Sequence, residues 1–432
     1  MARNAAPAWA IVALACLLCQ SAARGQDTIW LRQFGGSNNE EADAISADAN
    51  GVYVVGYWAG VGYLAKFSLD GQTLHWNDKF INGYDVNRAR GVCARSGFIY
   101  VAGYTLGWIV GQTPVGQADA FVMQYDTDGT RVWTRQFGTT ARDYGDDVAA
   151  DATGIYVVGD TEGAFTGDPN VGYTDVFIRK YDSSGDVSWT DQFGSSGVDY
   201  GNCGSCAADA VYVGGEIHPE GGEPPPNGIY TEQHDQDGAQ QWLEAFGTGN
   251  VEYGWGVAGV SGAVYVCGGI IDALPGQTWY GGRDAYVRKY DSSGNPLWTR
   301  QFGTSADDEA YEVSADASGV YVVGYTGGAL PGCTSAGMTD VFVRKYDANG
   351  SLCWTKQFGS AEDDAGTGAC AAADGLYIAG WTDDVLPGQT SAGRRDPFVA
   401  KLSLSGPTLA SPARDTHSPA WLEWWLSVPG PR

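Results

Sequence analysis

The sequence predicts an all-β fold: a seven-bladed β-propeller with four antiparallel strands per blade, its ring closed by the N-terminal strand completing the last blade. Three observations carry this reading: a tryptophan phrase repeated seven times, four strand-like segments within each repeat, and an offset between the two ends of the repeat. Trp30, Trp76, Trp133, Trp189, Trp242, Trp298 and Trp354 open similar phrases, such as WLRQFGG, WTRQFGT, WTDQFGS and WTKQFGS. Their separations are 46, 57, 56, 53, 56 and 56 residues. A near-constant period of this length marks a repeat architecture.

The sixth repeat shows the four segments. AYEVSAD (Ala310 to Asp316) alternates, and GVYVVGYT (Gly319 to Thr326) follows a tight turn. DVFVRKYD (Asp340 to Asp347) comes after a loop, and LCWTKQF (Leu352 to Phe358) closes the unit. The turns are Asp-Ala-Ser-Gly and Asp-Ala-Asn-Gly, whose residues tolerate the positive φ that hairpins need. No helical period appears in the repeat. The first repeated piece is a lone fourth strand, IWLRQF (Ile29 to Phe34), and the last is a third strand, PFVAKLSL (Pro397 to Leu404). A ring that hides its sheet edges predicts this offset, whereas an open solenoid predicts capping repeats.

Composition agrees. The chain holds 63 Gly, 24 Tyr and 16 Trp in 432 residues, but only 3 Met and 4 His, which suits short strands, many turns and layered aromatics. Residues 1–25 read as a secretory signal peptide: Arg3, an apolar run from Ala8 to Leu18, then small residues at Ser21, Ala22, Ala23 and Gly25. The residues before Cys16 make a poor lipobox, against lipoprotein anchoring. The expected domains are thus a signal peptide (1–25), the propeller (26–406) and a C-terminal tail (407–432), in which Trp421, Trp424 and Trp425 share one face if WLEWWL is helical.

The formal net charge is −26, or −28 once Arg3 and Arg24 leave with the leader. Such a field argues against nucleic acid and anionic lipid and favours cations or basic surfaces. Seven cysteines remain after the leader, an odd number with no disulfide framework, and Cys203 and Cys206 read as a structural pair or local disulfide.

At this level the phrases WTRQFGTSADDEAYEVSADASGVYVVGYT and LPGQTSAGRRDPFVAK resemble the SBBP beta-propeller repeat family of bacterial exported proteins, over roughly Trp30 to Leu404. The resemblance implies a propeller and an extracytoplasmic setting, and no catalytic residues. Blade one departs in lacking the LPGQT loop, and blade four in reading GIYTEQHDQDG.

Each recurring Trp is expected to fill a gap between blades, and the residue seven before the recurring Tyr of the second strand is small: Ser46, Cys93, Ala149, Ala258, Ser314 and Cys370, with Cys206 or Ala207 in blade four. Asp119, Asp175, Asp284, Asp340 and Asp396 precede third strands as loop-closing carboxylates. The DxDG phrases at Asp126 and Asp235 read as hairpin turns and lack the further ligands of a calcium loop.

The blade-to-blade loops are acidic: Glu40, Glu41 and Asp43; Asp143, Asp146 and Asp147; Asp307, Asp308 and Glu309; Glu362, Asp363 and Asp364, with Asp85, Asp199 and Glu252 singly. Carboxylates rimming one face would attract divalent cations, calcium included, or a basic partner. The candidate metal ligands are Asp143, Asp146, Asp147, Asp307, Asp308, Asp363 and Asp364. The competing expectation is that they cap loop backbone.

His75, His218, His234 and His417 share no repeat position, and no Ser-His-Asp or HExxH signature appears. The reading is an exported, monomeric, non-enzymatic binding module without an identified cofactor, meeting an extracellular protein or glycan and not integral to a membrane. The alternative is an extracellular enzyme on the same scaffold: a polysaccharide-acting hydrolase or lyase, since paired carboxylates could stand close, or a quinoprotein, since D-x-x-G-x-x-x-W at Asp291 to Trp298 is similar to the tryptophan-docking motif of those propellers.

Overall fold

The computed structural model describes residues 28–404 except 81–85, 168, 208–209, 223–227, 251 and 392. The segments expected as signal peptide (1–25) and C-terminal tail (407–432), Asp85 and most of the Pro-rich insertion of blade four (Glu220 to Asn227) lie outside the described residues. Among those described, strands account for nearly all regular structure, with one short 3-10 turn at Glu220–Gly222.

The strands form seven antiparallel sheets of four, six of them consecutive in sequence. The sixth blade is Asp308–Asp316, Gly319–Thr326, Asp340–Tyr346 and Leu352–Phe358, matching the four segments read from the repeat. The seventh is composite. Its three C-terminal strands are completed by Thr28–Gln33, which pairs antiparallel with Asp396–Leu402, setting Leu31 opposite Ala400 and Gln33 opposite Phe398. The ring is therefore closed by the N-terminal strand, as the offset requires.

Apolar residues divide into seven cores, and each lies between two neighbouring blades. One of them joins Ala42, Ile45 and Val52 of blade one to Tyr377, Ala379 and Val399 of blade seven across the seam. The fourth-strand tryptophans sit at these junctions. Trp298 stacks near Tyr346 of the next blade, and its Nε1 donates to Ala348 O at 3.2 Å. The same donation runs from Trp30, Trp76, Trp133, Trp189 and Trp242 into the turn of the following blade. Gly350 ends that turn at φ 79°, and a Cβ there would meet the Trp298 ring at 2.8 Å, so the turn demands glycine twice over.

A second repeated device fastens the loops between second and third strands. Gln301 Nε2 donates to Asp284 Oδ2 at 2.8 Å and to Asp272 O, while its Oε1 accepts from Leu274 N. The loop glutamine Gln277 then accepts from Gln301 N. Equivalent bonds join Gln33 to Asp396, Gln136 to Asp119, Gln192 to Asp175 and Gln357 to Asp340. The loop-closing role read for these aspartates is what the structure shows, and the LPGQT leucines Leu274, Leu330 and Leu386 are buried beneath.

Two cysteine readings are corrected. Cys203 and Cys206 are both free and stand three residues apart in one extended strand, Val198–Ala207. Side chains at that spacing point to opposite faces and lie about 10 Å apart along the strand, beyond disulfide reach. The blade-four equivalent of the small axial residue is Ser205, opposite Tyr212, and neither Cys206 nor Ala207. Small size there has a reason: Ser46, Ser205 and Ser314 each accept from a backbone N–H of a neighbouring first strand, at Ala94, Gly259 and Ala371.

Candidate ligand site on the ring axis

The acidic loop residues do not gather. Asp143, Asp308 and Asp364 begin first strands and are fully buried. Each turns back four residues to accept a backbone N–H, from Thr139, Thr304 and Ser360. Glu40, Asp199 and Glu252 repeat the arrangement with Gly36, Ser195 and Thr248. Burial pushes Asp364 up to about 6 against the hydrogen bonds that hold it. Asp307 accepts from Arg283 N, and Asp363 from Thr339 Oγ1 at 3.0 Å. Among the described residues no group of three or more His, Cys, Asp or Glu is placed to hold a metal ion. Asp126 and Asp235 accept from the N–H groups two and four residues on, which makes them turn residues.

Asp146 and Asp147 have a different setting. Every first strand carries a β-bulge near its start, where the register to the second strand slips by one. A bulge inserts one unpaired residue and re-aims its side chain. The seven inserted residues are Asp43, Arg90, Asp146, Asn202, Trp255, Tyr311 and Thr367, and all seven line one cavity of about 340 Å³ on the ring axis. Bridges such as Thr174 to Val198 and Thr339 to Asp363 put the loops between second and third strands at the same end of the ring as the starts of the first strands. The cavity opens among those loops.

Its walls differ in character. On blades five and six the surface is aromatic. Trp255 lies parallel to Tyr253 at 5.4 Å, Tyr311 meets Trp255 edge-on at 6.1 Å, and Tyr325 follows at 5.6 Å. Glu309, buried, holds this wall by accepting from Trp255 Nε1 at 2.7 Å and Tyr325 Oη at 3.2 Å. On blades one to three the surface is ionic, and its cations are already matched. Arg88 pairs with Asp43 and Glu41 at 2.5 and 2.7 Å, and Arg90 pairs with Asp146. Asp160 faces Asp146, and burial together with that neighbouring carboxylate raises it well above the usual range, so Asp160 keeps a proton to donate.

Beneath the bulges lie the residues that follow them, of which Ala44, Asp147, Cys203 and Glu312 line the cavity. Five of the seven are small or Cys, namely Ala44, Gly91, Cys203, Gly256 and Gly368, and two are acids, Asp147 and Glu312. A Cβ at Gly256 would stand 3.0 Å from Glu312 Cα, so neighbouring strands touch here. Asp147 accepts from Gly204 N and Val148 N, and Glu312 from Val313 N. Among the described residues neither makes an ion pair. Burial pushes Asp147 up to about 7 and Glu312 well above the carboxylate range, so both resist ionisation more than an exposed carboxylate does.

Of the seven acids singled out from sequence, only Asp146 and Asp147 reach this cavity. Sequence reading missed its other members, yet a signal exists: each bulge residue follows a small one, Ala42, Ala89, Gly145, Gly201, Gly254, Ala310 or Gly366, and is the position where seven similar strands disagree most.

No family model matches the chain. A stretch of 170 residues is 29% identical to the regulatory protein FlaEY of Caulobacter vibrioides, covering 35% of this chain and 18% of that protein. The chain thus spans less than a fifth of that relative. Among solved structures, the WD40 domain of Pan2 from Neurospora crassa superposes with a TM-score of 0.52 and 10% identity, over 89% of this chain and 98% of that one. The WD40 propeller domain of Doa1 gives 0.50, with the same identity and coverage. At such identity these likenesses speak to the propeller fold alone.

Proposed function

We propose that the chain is an exported, non-enzymatic binding module whose ligand site is the axial cavity at the loop end, and that it shares the extracytoplasmic setting of the SBBP repeat proteins it resembles. One observation carries the reading: seven bulges deliver seven different side chains into one cavity, in a ring where the surrounding positions repeat. Fold maintenance accounts for what recurs and leaves the variation on the axis unexplained. A cavity of this size lies near the low end of the roughly 300–1,000 Å³ typical of small-ligand pockets, and its mix of aromatic wall and convergent polar groups is what such pockets use.

The same end also exposes large apolar side chains on otherwise fastened loops. Trp108, Tyr173, Trp279 and Tyr280 are each about half exposed or more. They give a larger ligand, or a protein carrying it, an apolar surface around the mouth.

The test uses the full mature chain labelled with 5-fluorotryptophan, with the fluorine resonances of Trp255 and of Trp381, a blade-seven residue that also lines the cavity, assigned through their Phe variants. A chemically mixed library of sugars, amines, carboxylates and short peptides is titrated in. Saturable shifts of Trp255 or Trp381, with Trp298 unmoved, are expected. A library that moves none of the axial resonances overturns the cavity as the ligand site.

A further inference from the structure

Resting on that reading, we infer that the axial cavity takes a neutral sugar, the terminal one or two residues of a glycan, with its ring laid against Trp255 and its hydroxyls bonded by Asp43, Asn202 and Asp146. The division of the cavity supports this class over others. A sugar has an apolar C–H face and a rim of hydroxyls, and it needs a flat aromatic surface beside groups that both donate and accept. The Tyr253–Trp255–Tyr311 wall supplies the first, and it is held rigid through Glu309. Asn202 supplies an acceptor: its amide N–H groups are given to Gly254 O at 3.0 Å and Glu216 Oε1 at 3.3 Å, which orients the amide and leaves its oxygen for a hydroxyl. The carboxylates of Asp43 and Asp146 are each oriented by an arginine and keep lone pairs for a hydroxyl.

Charge excludes the competitors. An anionic ligand would need free cations, but Arg88 and Arg90 are bound by acids of the same wall, and the chain carries −26 overall. A cation would need unmatched carboxylates, and the two on the floor that lack a counter-charge are the two whose ionisation burial opposes, Asp147 being raised to about 7 and Glu312 well above the carboxylate range. A protonated carboxyl donates one hydrogen bond and accepts another, which a hydroxyl can answer. With about 340 Å³ available, one or two sugar rings fit and a folded peptide segment does not.

The experiment applies the fluorine reporter to glucose, galactose, mannose, N-acetylglucosamine and their common disaccharides, with a primary amine and inorganic phosphate as comparison arms. At least one neutral sugar is expected to shift Trp255 saturably, with a dissociation constant of roughly millimolar order or better. Binding to Trp255→Ala, read through Trp381, should weaken at least about tenfold, which corresponds to about 1.4 kcal/mol, and Trp255→Phe should recover part of it. Asn202→Ala, which leaves the aromatic wall whole, should also weaken it. If sugars leave Trp255 unmoved while amines or phosphate shift it, the sugar assignment is overturned and the cavity remains a ligand site. If no probe of any class shifts it, both fall.

Discussion

The outer and inner strands of each blade use side chains in opposite ways. In the fourth strand, Trp, Gln and Phe recur almost unchanged, and each is spent on internal contacts: Trp298 on the next blade's turn, Gln301 on Asp284 and the LPGQT loop, Phe302 on the apolar core. In the first strand, the bulge residue changes type in nearly every blade and faces an open cavity. Similarity between repeats therefore marks what holds this ring together, and dissimilarity marks where it can recognise something. The acidic loops divide along the same line. Their repeated members cap turns, and Asp43, Asp146 and Asp147 reach the axis.

The largest effect should come from reopening the ring. Deleting residues 28–34 removes the strand that pairs with Asp396–Leu402 and exposes a full sheet edge. The truncated chain should lose its monodisperse elution and its single cooperative melt, and retention of both would mean the seam is not what closes the fold. Next, Trp298→Ala should cost about 2–3 kcal/mol, because the partly buried ring packs on the apolar core between blades five and six and gives up its bond to Ala348 O. Trp255→Ala should cost about 1 kcal/mol, because it is half-buried beside a cavity and mainly surrenders one hydrogen bond to Glu309. Paired urea titrations give both numbers, and equal losses would erase the contrast between outer and inner tryptophans. Between the two tryptophan losses lies Gln301→Leu. It leaves the Leu274 N–H without a partner, reduces the donors to Asp284 Oδ2 to the Tyr280 N–H, and should cost about 1–3 kcal/mol, read as faster proteolysis confined to residues 271–283.

How far these roles were legible in the sequence follows from their periodicity. The blades, their strand limits and the composite seventh sheet could be read because each is written several times, so chance variation at one site is overruled by the others. The Gln of the WTRQF phrase recurs in five of the seven fourth strands, with Lys79 and Ala245 in the other two, and it went unread because its partner, the Asp before the third strand, lies 17 residues upstream across a loop. The axial residues are another matter. A bulge has no composition of its own, and a one-residue slip decides whether Asp146 faces solvent, core or axis. Sequence grouped Asp146 and Asp147 with their acidic neighbours, because charge is visible along a chain and direction is not. The disulfide reading of Cys203 and Cys206 failed for the same reason: proximity in sequence becomes separation once the strand is extended.

The smallest effect concerns Asp147, and its sign is opposite to the usual behaviour of a surface carboxylate. Burial raises its folded pKa to about 7, from 3.8. Between those values the folded state holds a proton that the unfolded chain has released, so stability falls as pH rises from about 4 through about 7 and is level beyond. Asn cannot ionise, and its single side-chain oxygen keeps one of the two N–H bonds now made to Gly204 and Val148. Asp147→Asn should therefore be less stable than wild type at pH 5 and more stable at pH 8, each by about 1 kcal/mol. Melting curves at the two pH values decide it. A variant that is weaker by the same amount at both would show that Asp147 is charged throughout, and the floor of the cavity would then present a carboxylate to any ligand, favouring an amine over a neutral sugar.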